Sequence, residues 1–440
     1  MSEASPTPLV SEAALSKAMG FAGLHARGGG RAAVLIGVAA LVLALVPARP
    51  ARALSTQQSG LLALAQSGAR QAREAFRDGA HGVWNGHSNV PLHWYDERLH
   101  SHNRYPLATI WGAVPLFESL CAITIADPTP ANRRALDVFA EGARPPAAAA
   151  RKGSLSRGAK IPVYMGAESY WDRAVEGFAP YPGDRGAANT WFDDNSWWGI
   201  AFIDAYRALG KRRFLDDAQA AFDFIARRGW DSSTGGMWWN TDHTPAGQKS
   251  GEALAAGSLL GGLLAQAWQQ AGSAALAAAD LRRVKQFLSW GDANFADSDG
   301  LYWRTQNDPT PMPYVAGVEI EAKELLCRLV AAGNPYCAQA TRLADAAYER
   351  FAYRLNMGPQ FDVIYLHWML VYGQQTGDPR WAAMALTFAK QAQAHARSSM
   401  GLYLKAWNGS DMSAHQAEPD MLRTDAATVE LFGWLAADGP

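Results

Sequence analysis

Asp193-Asp194-Asn195-Ser196-Trp197-Trp198-Gly199-Ile200-Ala201-Phe202-Ile203-Asp204-Ala205-Tyr206-Arg207-Ala208-Leu209-Gly210-Lys211-Arg212-Arg213-Phe214 holds the first helix and the turn of one unit of the fold. Its first part, from about 191 to 209, is apolar on most faces of a helix. A turn at Leu209–Phe214 then leads into a second, amphipathic helix. A helix that is apolar all round must be enclosed, whereas an amphipathic one can face water. The same grammar recurs along the chain. Apolar helices are expected at about 106–126, 191–209, 252–271, 314–333, 361–376 and 421–436. Similar turns occur at Ala332-Gly333-Asn334-Pro335-Tyr336 and Thr376-Gly377-Asp378-Pro379-Arg380-Trp381. Amphipathic helices are expected from Gln57 to Asp78 and from about Ala131 to Ala143. Several second helices are followed by a Gly-aromatic segment: Gly235-Gly236-Met237-Trp238-Trp239, Asp299-Gly300-Leu301-Tyr302-Trp303 and Gly401-Leu402-Tyr403-Leu404, with Gly79–Trp84 as a degenerate copy. Six alternating pairs predict an all-α (α/α)6 toroid, an inner ring of helices inside an outer ring, with the Gly-aromatic loops at one mouth. An open helical solenoid has the same local pattern, so closure of the ring is an expectation for the structure to test.

Composition agrees. The chain has 440 residues, 49% hydrophobic and 18% charged, enough for one large domain or two ordinary ones. The similar helices on either side of the Pro/Ala and basic Gly/Ser stretch at 144–162 favour one domain, 54–440, with a surface insertion there. Forty Lys and Arg balance 41 Asp and Glu, and no basic stripe carries interleaved aromatics, which argues against a nucleic-acid partner. Arg27 and Arg31 precede an uncharged apolar run, Ala33–Val46, and the small-x-small pattern ends at Ala53. Residues 1–53 therefore read as a signal peptide, with Met19 as a second possible start and a secreted or periplasmic destination. An uncleaved anchor is the alternative; no other membrane contact is expected. Of three cysteines, Cys327 and Cys337 are able to pair across one helix turnaround in an exported protein, and Cys121 reads as a buried hydrophobe. No cysteine or histidine spacing fits zinc, so neither metal nor cofactor is expected. A monomer is expected.

Chemistry concentrates at Asn189-Thr190-Trp191-Phe192-Asp193-Asp194-Asn195-Ser196-Trp197-Trp198. Two adjacent carboxylates stand among four aromatic rings where an inner helix begins. Aromatic walls bind sugar faces, and paired carboxylates hydrolyse glycosidic bonds. Burial and a second carboxylate both raise a carboxyl pKa, so one group can hold a proton while the other stays ionised. The competing structural explanation is an Asp that merely caps the helix.

These residues resemble glycoside hydrolase family 76, the endo-α-1,6-mannanases and their fungal wall-transglycosidase relatives. Asp193-Asp194-Asn195-Ser196-Trp197-Trp198 is similar to the family's Asp-Asp-Asn-x-Trp-Trp, and Ile203-Asp204-Ala205-Tyr206, Phe214–Ala218, Gly229-Trp230-Asp231 and Gly235–Asn240 continue the match. Weaker matches are Lys249, Asp299-Gly300, Tyr314 with Gly317, and Gln360-Phe361. The resemblance implies an (α/α)6 fold and a retaining double displacement on an α-1,6-mannosidic polysaccharide, with Asp193 as nucleophile and Asp194 as acid/base. Two departures bear on specificity. Tyr314-Val315-Ala316-Gly317 replaces Tyr-Asn-Gln-Gly, and Ser250-Gly251-Glu252-Ala253-Leu254 replaces an Asn-bearing stretch.

Candidate substrate-binding residues are Trp84, Asn195, Trp198, Trp238, Trp239, Asn240 and Tyr314, with Trp94 and Asp242 as further possibilities. Glu319, Glu321 and Glu324 lie on an inner helix; Glu319 is a candidate for an inward carboxylate facing the cavity, with surface or structural pairing as the expectation. Asp362 and His367 are candidates to point inward. His93, His100 and His102 cluster with Asp96 and Glu97 in a spacing that fits no metal motif. Rival readings are a transglycosidase, another toroid chemistry such as glucuronyl hydrolysis or epimerisation, for which His367 beside Asp193 is the discriminating feature, and a non-catalytic carbohydrate-binding relative.

Overall fold

The computed structural model describes residues 53–75, 108–145, 170–180, 189–243, 248–398, 401–410 and 422–439. The leader, the insertion beyond Pro145, the histidine cluster, Trp84 and Trp94 lie outside them. Among the described residues twelve helices alternate in two classes. The inner class is α2 (Ile110–Ala126), α4 (Phe192–Leu209), α6 (Gly251–Gln270), α8 (Pro313–Leu329), α10 (Pro359–Thr376) and α12 (Leu422–Asp438). These helices are buried on nearly every face. The outer class is α1 (Thr56–Ala75), α3 (Pro130–Ala143), α5 (Arg212–Phe224), α7 (Ala274–Asn294), α9 (Tyr336–Phe351) and α11 (Arg380–His395). Each outer helix buries one stripe. On α5 the stripe includes Phe214, Leu215, Ala218, Ala221 and Phe222; on α11 it includes Trp381, Met384, Ala385, Phe388 and Ala392. That i, i+1, i+4 spacing is the apolar face of an amphipathic helix.

Each inner helix packs on the next, from α2 through α4, α6, α8 and α10 to α12, and α12 packs back on α2. The ring is closed, which separates it from an open solenoid. Each outer helix returns the chain, so all inner helices begin at the same end. Gly210 (φ 72°) and Gly377 (φ 75°) end α4 and α10 in the left-handed conformation that a side chain disfavours. α8 stops at Leu329 rather than near 333, because Val330 turns extended (φ −100°, ψ 156°). A disulfide joins Cys327 to Cys337, bridging the end of α8 to the start of α9. Cys121 is buried. No helix among the described residues is long and apolar enough to cross a membrane.

The mouth holds two short hairpins, β1 (Trp171–Asp172) with β2 (Gly177–Phe178), and β3 (Trp303–Thr305) with β4 (Asp308–Pro311). A repeated device pins such segments to the ring. The Phe178 N–H donates to Asn195 Oδ1 (2.8 Å), the Tyr302 N–H to Glu319 Oε2 (3.0 Å), and the Tyr403 N–H to Asp425 Oδ1 (2.7 Å). Each acceptor lies early or midway in an inner helix. Glu319 also pairs with Lys323 at 3.0 Å, so it is structural, as expected.

Deeper in the ring the inner helices bring together Glu118 from α2, Asp204 from α4 and Glu430 from α12, and Glu321 of α8 is buried within the field of Arg207. Arg207 pairs with Asp204 at 2.6 Å, and Gln375 donates to Glu321 Oε1 at 3.0 Å. Burial is the main force raising these carboxyls, and it pushes Glu321 from 4.5 up to about 8. A folded-state pKa above the unfolded value favours the fold below about pH 4.5, and that advantage is lost as pH rises through about 8. Glu321→Gln, which cannot ionise, is therefore expected to be more stable than the parent at about pH 9 by on the order of 3 kcal/mol, with no gain near pH 4.5. Urea denaturation at the two pH values measures this.

Candidate active site

The carboxylate pair is placed by the entry to α4. The Phe192 N–H donates to the Trp239 carbonyl (3.0 Å), Trp191 bridges Asn240, and the Thr241 N–H donates to the Thr190 carbonyl (3.0 Å). The segment before α4 is thus stitched to the Trp238–Thr241 loop. Trp191 is the N-cap and its side chain makes no capping bond; Asp193 and Asp194 stand at the second and third helical positions. Neither aspartate is the cap, so the capping explanation does not account for the pair.

Asp193 is partly buried. Its Oδ2 accepts the Trp239 indole N–H at 3.3 Å, and its Oδ1 has no hydrogen-bond partner. Burial first, then Asp194, then Glu252 hold its carboxyl well above the usual carboxylate range. Glu252 opens α6 and is 3% exposed. Arg304 on β3 grips its Oε1 at 2.7 Å and lies over the Trp239 ring at 5.6 Å. The Tyr314 hydroxyl also bonds Glu252. Acidic, aromatic and cationic groups from α4, α6, α8 and β3 therefore meet around Asp193. Among the described residues no three His, Cys, Asp or Glu side chains are arranged to hold a metal ion.

Aromatic rings continue this surface. Trp111 of α2 lies 6.4 Å from Trp197 and 5.4 Å from Phe361, and Phe361 lies 5.1 Å from Tyr314. Trp111, Trp239 and Phe361 are only half-buried. The site is thus built from the second or third residue of successive inner helices: Trp111, Asp193 with Asp194, Glu252, Tyr314 and Phe361. Sequence reasoning missed Trp111, Glu252 and Arg304. The signal for the first two was their place in the first turn of an inner helix.

Several expected substrate contacts fall elsewhere. Trp198 is fully buried among Phe117, Phe139, Tyr170, Phe178 and Phe202, so it is core. Asn195 is fully buried, and its Nδ2 donates to the Phe178 and Trp191 carbonyls at 2.9 and 2.7 Å. With its Oδ1 also engaged, it braces the first turn of α4 and has no surface for a sugar. Asn240 is likewise buried, and its Oδ1 accepts the Asp242 N–H at 3.2 Å. Trp238 carries the Lys249 ammonium 3.2 Å from its ring centre and the His243 ring stacked at 4.2 Å. Two groups that close cannot share one face, so both faces are occupied. Tyr314 is 4% exposed with its hydroxyl committed to Glu252. Trp239 alone of the described aromatic candidates is both half-buried and bonded to the aspartate pair. His367 stacks on Trp434 at 3.9 Å in the core, with burial and Arg207 holding its pKa well below the usual value. It is not part of the Asp193 cluster, which removes the feature that an epimerase reading required.

Because Glu252 helps to raise Asp193, Glu252→Gln is expected to lower that pKa. In any activity that needs ionised Asp193, the acid limb of the pH–rate profile should move to lower pH. An unmoved limb would show that Glu252 only anchors Arg304.

The model of glycosyl hydrolase family 76 matches residues 167–357, the segment that carries the aspartate pair, Trp239, Glu252 and Arg304. This part of the chain is similar to glycoside hydrolase family 76. Solved structures extend the likeness of fold beyond that segment. A family 76 glycoside hydrolase from Bacteroides thetaiotaomicron superposes with a TM-score of 0.67 at 17% identity, over 86% of this chain and 77% of its own. An inactive variant of a Salegentibacter α-1,6-mannanase with two consecutive aspartates replaced, bound to α-1,6-mannotetrose, gives 0.61 at 16% identity over 86% and 98%. Dfg5 from Chaetomium thermophilum, in complex with glucosamine, gives 0.58 at 14% identity over 86% and 90%. A comparison with curated protein sequences returned no match. The likeness of fold thus spans the helical ring.

Proposed function

We propose that this chain is a retaining glycosidase that cleaves α-1,6-mannosidic bonds. The observation that carries the reading is Asp193 itself: fixed in the first turn of α4, held through one oxygen by Trp239, its other oxygen unpartnered, with a second carboxylate next in sequence. The Salegentibacter mannanase supports it, since its inactive variant lacks two consecutive aspartates. In the first step Asp193 attacks the anomeric carbon while Asp194 gives its proton to the departing glycosidic oxygen. The C–O bond breaks and a glycosyl–Asp193 ester forms. In the second step Asp194 takes a proton from water, whose oxygen displaces Asp193. The Trp239 N–H stabilises the carboxylate that leaves. A proton on Asp193 blocks the first step, so its raised pKa places the acid limb of activity above the ordinary carboxylate range.

The likeness to Dfg5 keeps a sugar acceptor in place of water as the second reading. Proton NMR of the first-formed reducing end tests the mechanism: α-anomer before mutarotation supports double displacement, and β-anomer overturns it. Export is part of the proposal, supported by the leader-like residues 1–53 and by the Cys327–Cys337 disulfide.

A further inference from the structure

Phe361 and Asp362 are neighbours in the first turn of α10, about 100° apart round the helix. Phe361 packs against Trp111 and Tyr314 beside the aspartate cluster. Asp362 instead lines a separate cavity of about 150 Å³, formed by the start of α10, α11, the α9–α10 connection and the segment Lys405–Asn408. Asp362 is 2% exposed. Its Oδ2 accepts the Met357 N–H at 3.2 Å and the Gly358 N–H also bonds the carboxyl, while its Oδ1 has no hydrogen-bond partner of good geometry. A buried carboxylate oxygen without a donor is unfavourable unless something supplies one.

A second observation falls on the same cavity. Tyr353 lines it, is 53% exposed, and holds a left-handed backbone at φ 59°. A bulky aromatic rarely adopts that conformation, and strain of this kind collects at ligand sites. Asn356, Gln391 and Asn408 add amides to the wall. Trp407 closes it, with its indole N–H already given to Thr428 Oγ1 at 2.9 Å. Amides and a carboxylate match the hydroxyls of a sugar, and an exposed ring matches its C–H face. The volume suits one small ring and is too small for a polymer.

We propose that this cavity is an accessory site for a single neutral pyranose, with Asp362 accepting a hydroxyl hydrogen bond and Tyr353 stacking on the ring. The site is separate from the Asp193 cluster, and its occupancy does not depend on which glycan that cluster cuts.

The test is ligand-observed NMR and calorimetry on the full purified chain with D-mannose, D-glucose and D-galactose, repeated with Tyr353→Gly and Asp362→Asn. Glycine accepts the left-handed backbone, so the first variant removes the ring without disturbing the fold. The second keeps the side-chain shape and removes the carboxylate. At least one hexose should bind the parent, and each variant should weaken it roughly tenfold or more, with unchanged turnover of mannan and with thermal stability equal to the parent's or, for Asp362→Asn above about pH 7, higher. Absence of hexose binding to the parent, or binding that neither variant weakens, overturns the proposal. Tyr353-dependent binding in a chain that cuts no mannan would leave the accessory site standing and remove the mannanase reading.

Discussion

Asp193→Asn and Asp194→Asn are each expected to lower oligosaccharide release from α-1,6-mannan by at least about 10³-fold, or roughly 4 kcal/mol of transition-state stabilisation. Neither substitution should weaken the fold. Asp193 is held partly buried, with one oxygen unpartnered and Asp194 and Glu252 nearby, which is unfavourable for a second negative charge. An amide relieves that repulsion, so thermal stability should be equal or higher while activity disappears, the usual sign of a strained catalytic group. The two variants should also differ. A substrate with a good leaving group needs no proton from Asp194, so Asp194→Asn should regain turnover on an activated aryl mannoside, and Asp193→Asn should not. Equal residual activity of both on both substrates would contradict the assigned roles.

Trp198→Ala should destabilise the protein by about 3–5 kcal/mol, because the side chain is fully buried and an aromatic truncated to alanine leaves a cavity. Its ring meets Phe117 of α2, Phe139 of α3, Tyr170 just before β1, Phe178 of β2 and Phe202 of α4, so the loss is felt where the carboxylate helix meets its neighbours. KM in the fraction that folds should stay near the parent value, since the ring offers no surface to a sugar. Chemical denaturation gives the first quantity and initial rates the second. A large rise in KM with unchanged stability would return Trp198 to the binding surface.

The helical ring was legible because its signal is periodic. Residues 192–209 are apolar all round and Arg212–Phe224 are not, and that contrast repeats. Closure was not legible: it depends on α12 meeting α2, a contact between chain ends that no local pattern encodes. The aspartate pair was legible because two acids among tryptophans are chemically conspicuous. The aromatic and amide candidates were harder. Trp198 and Trp239 look alike in a sequence; one points into the core and the other touches Asp193, and only helix phase and loop pairing separate them. Asn195 and Asn240 read as sugar-binding amides but serve backbone groups, because a chain entering and leaving short bridges leaves N–H and C=O groups to be satisfied. Glu252 and Arg304 are 52 residues apart and meet only in three dimensions.

The measurement that bears most directly on the account is chromatography of linear α-1,6-mannan after incubation with the purified protein, beside Asp193→Asn. Release of short mannooligosaccharides by the parent and none by the variant is the predicted result. Intact mannan in both, from protein shown to be folded, would contradict the assignment of this site to α-1,6-mannoside cleavage.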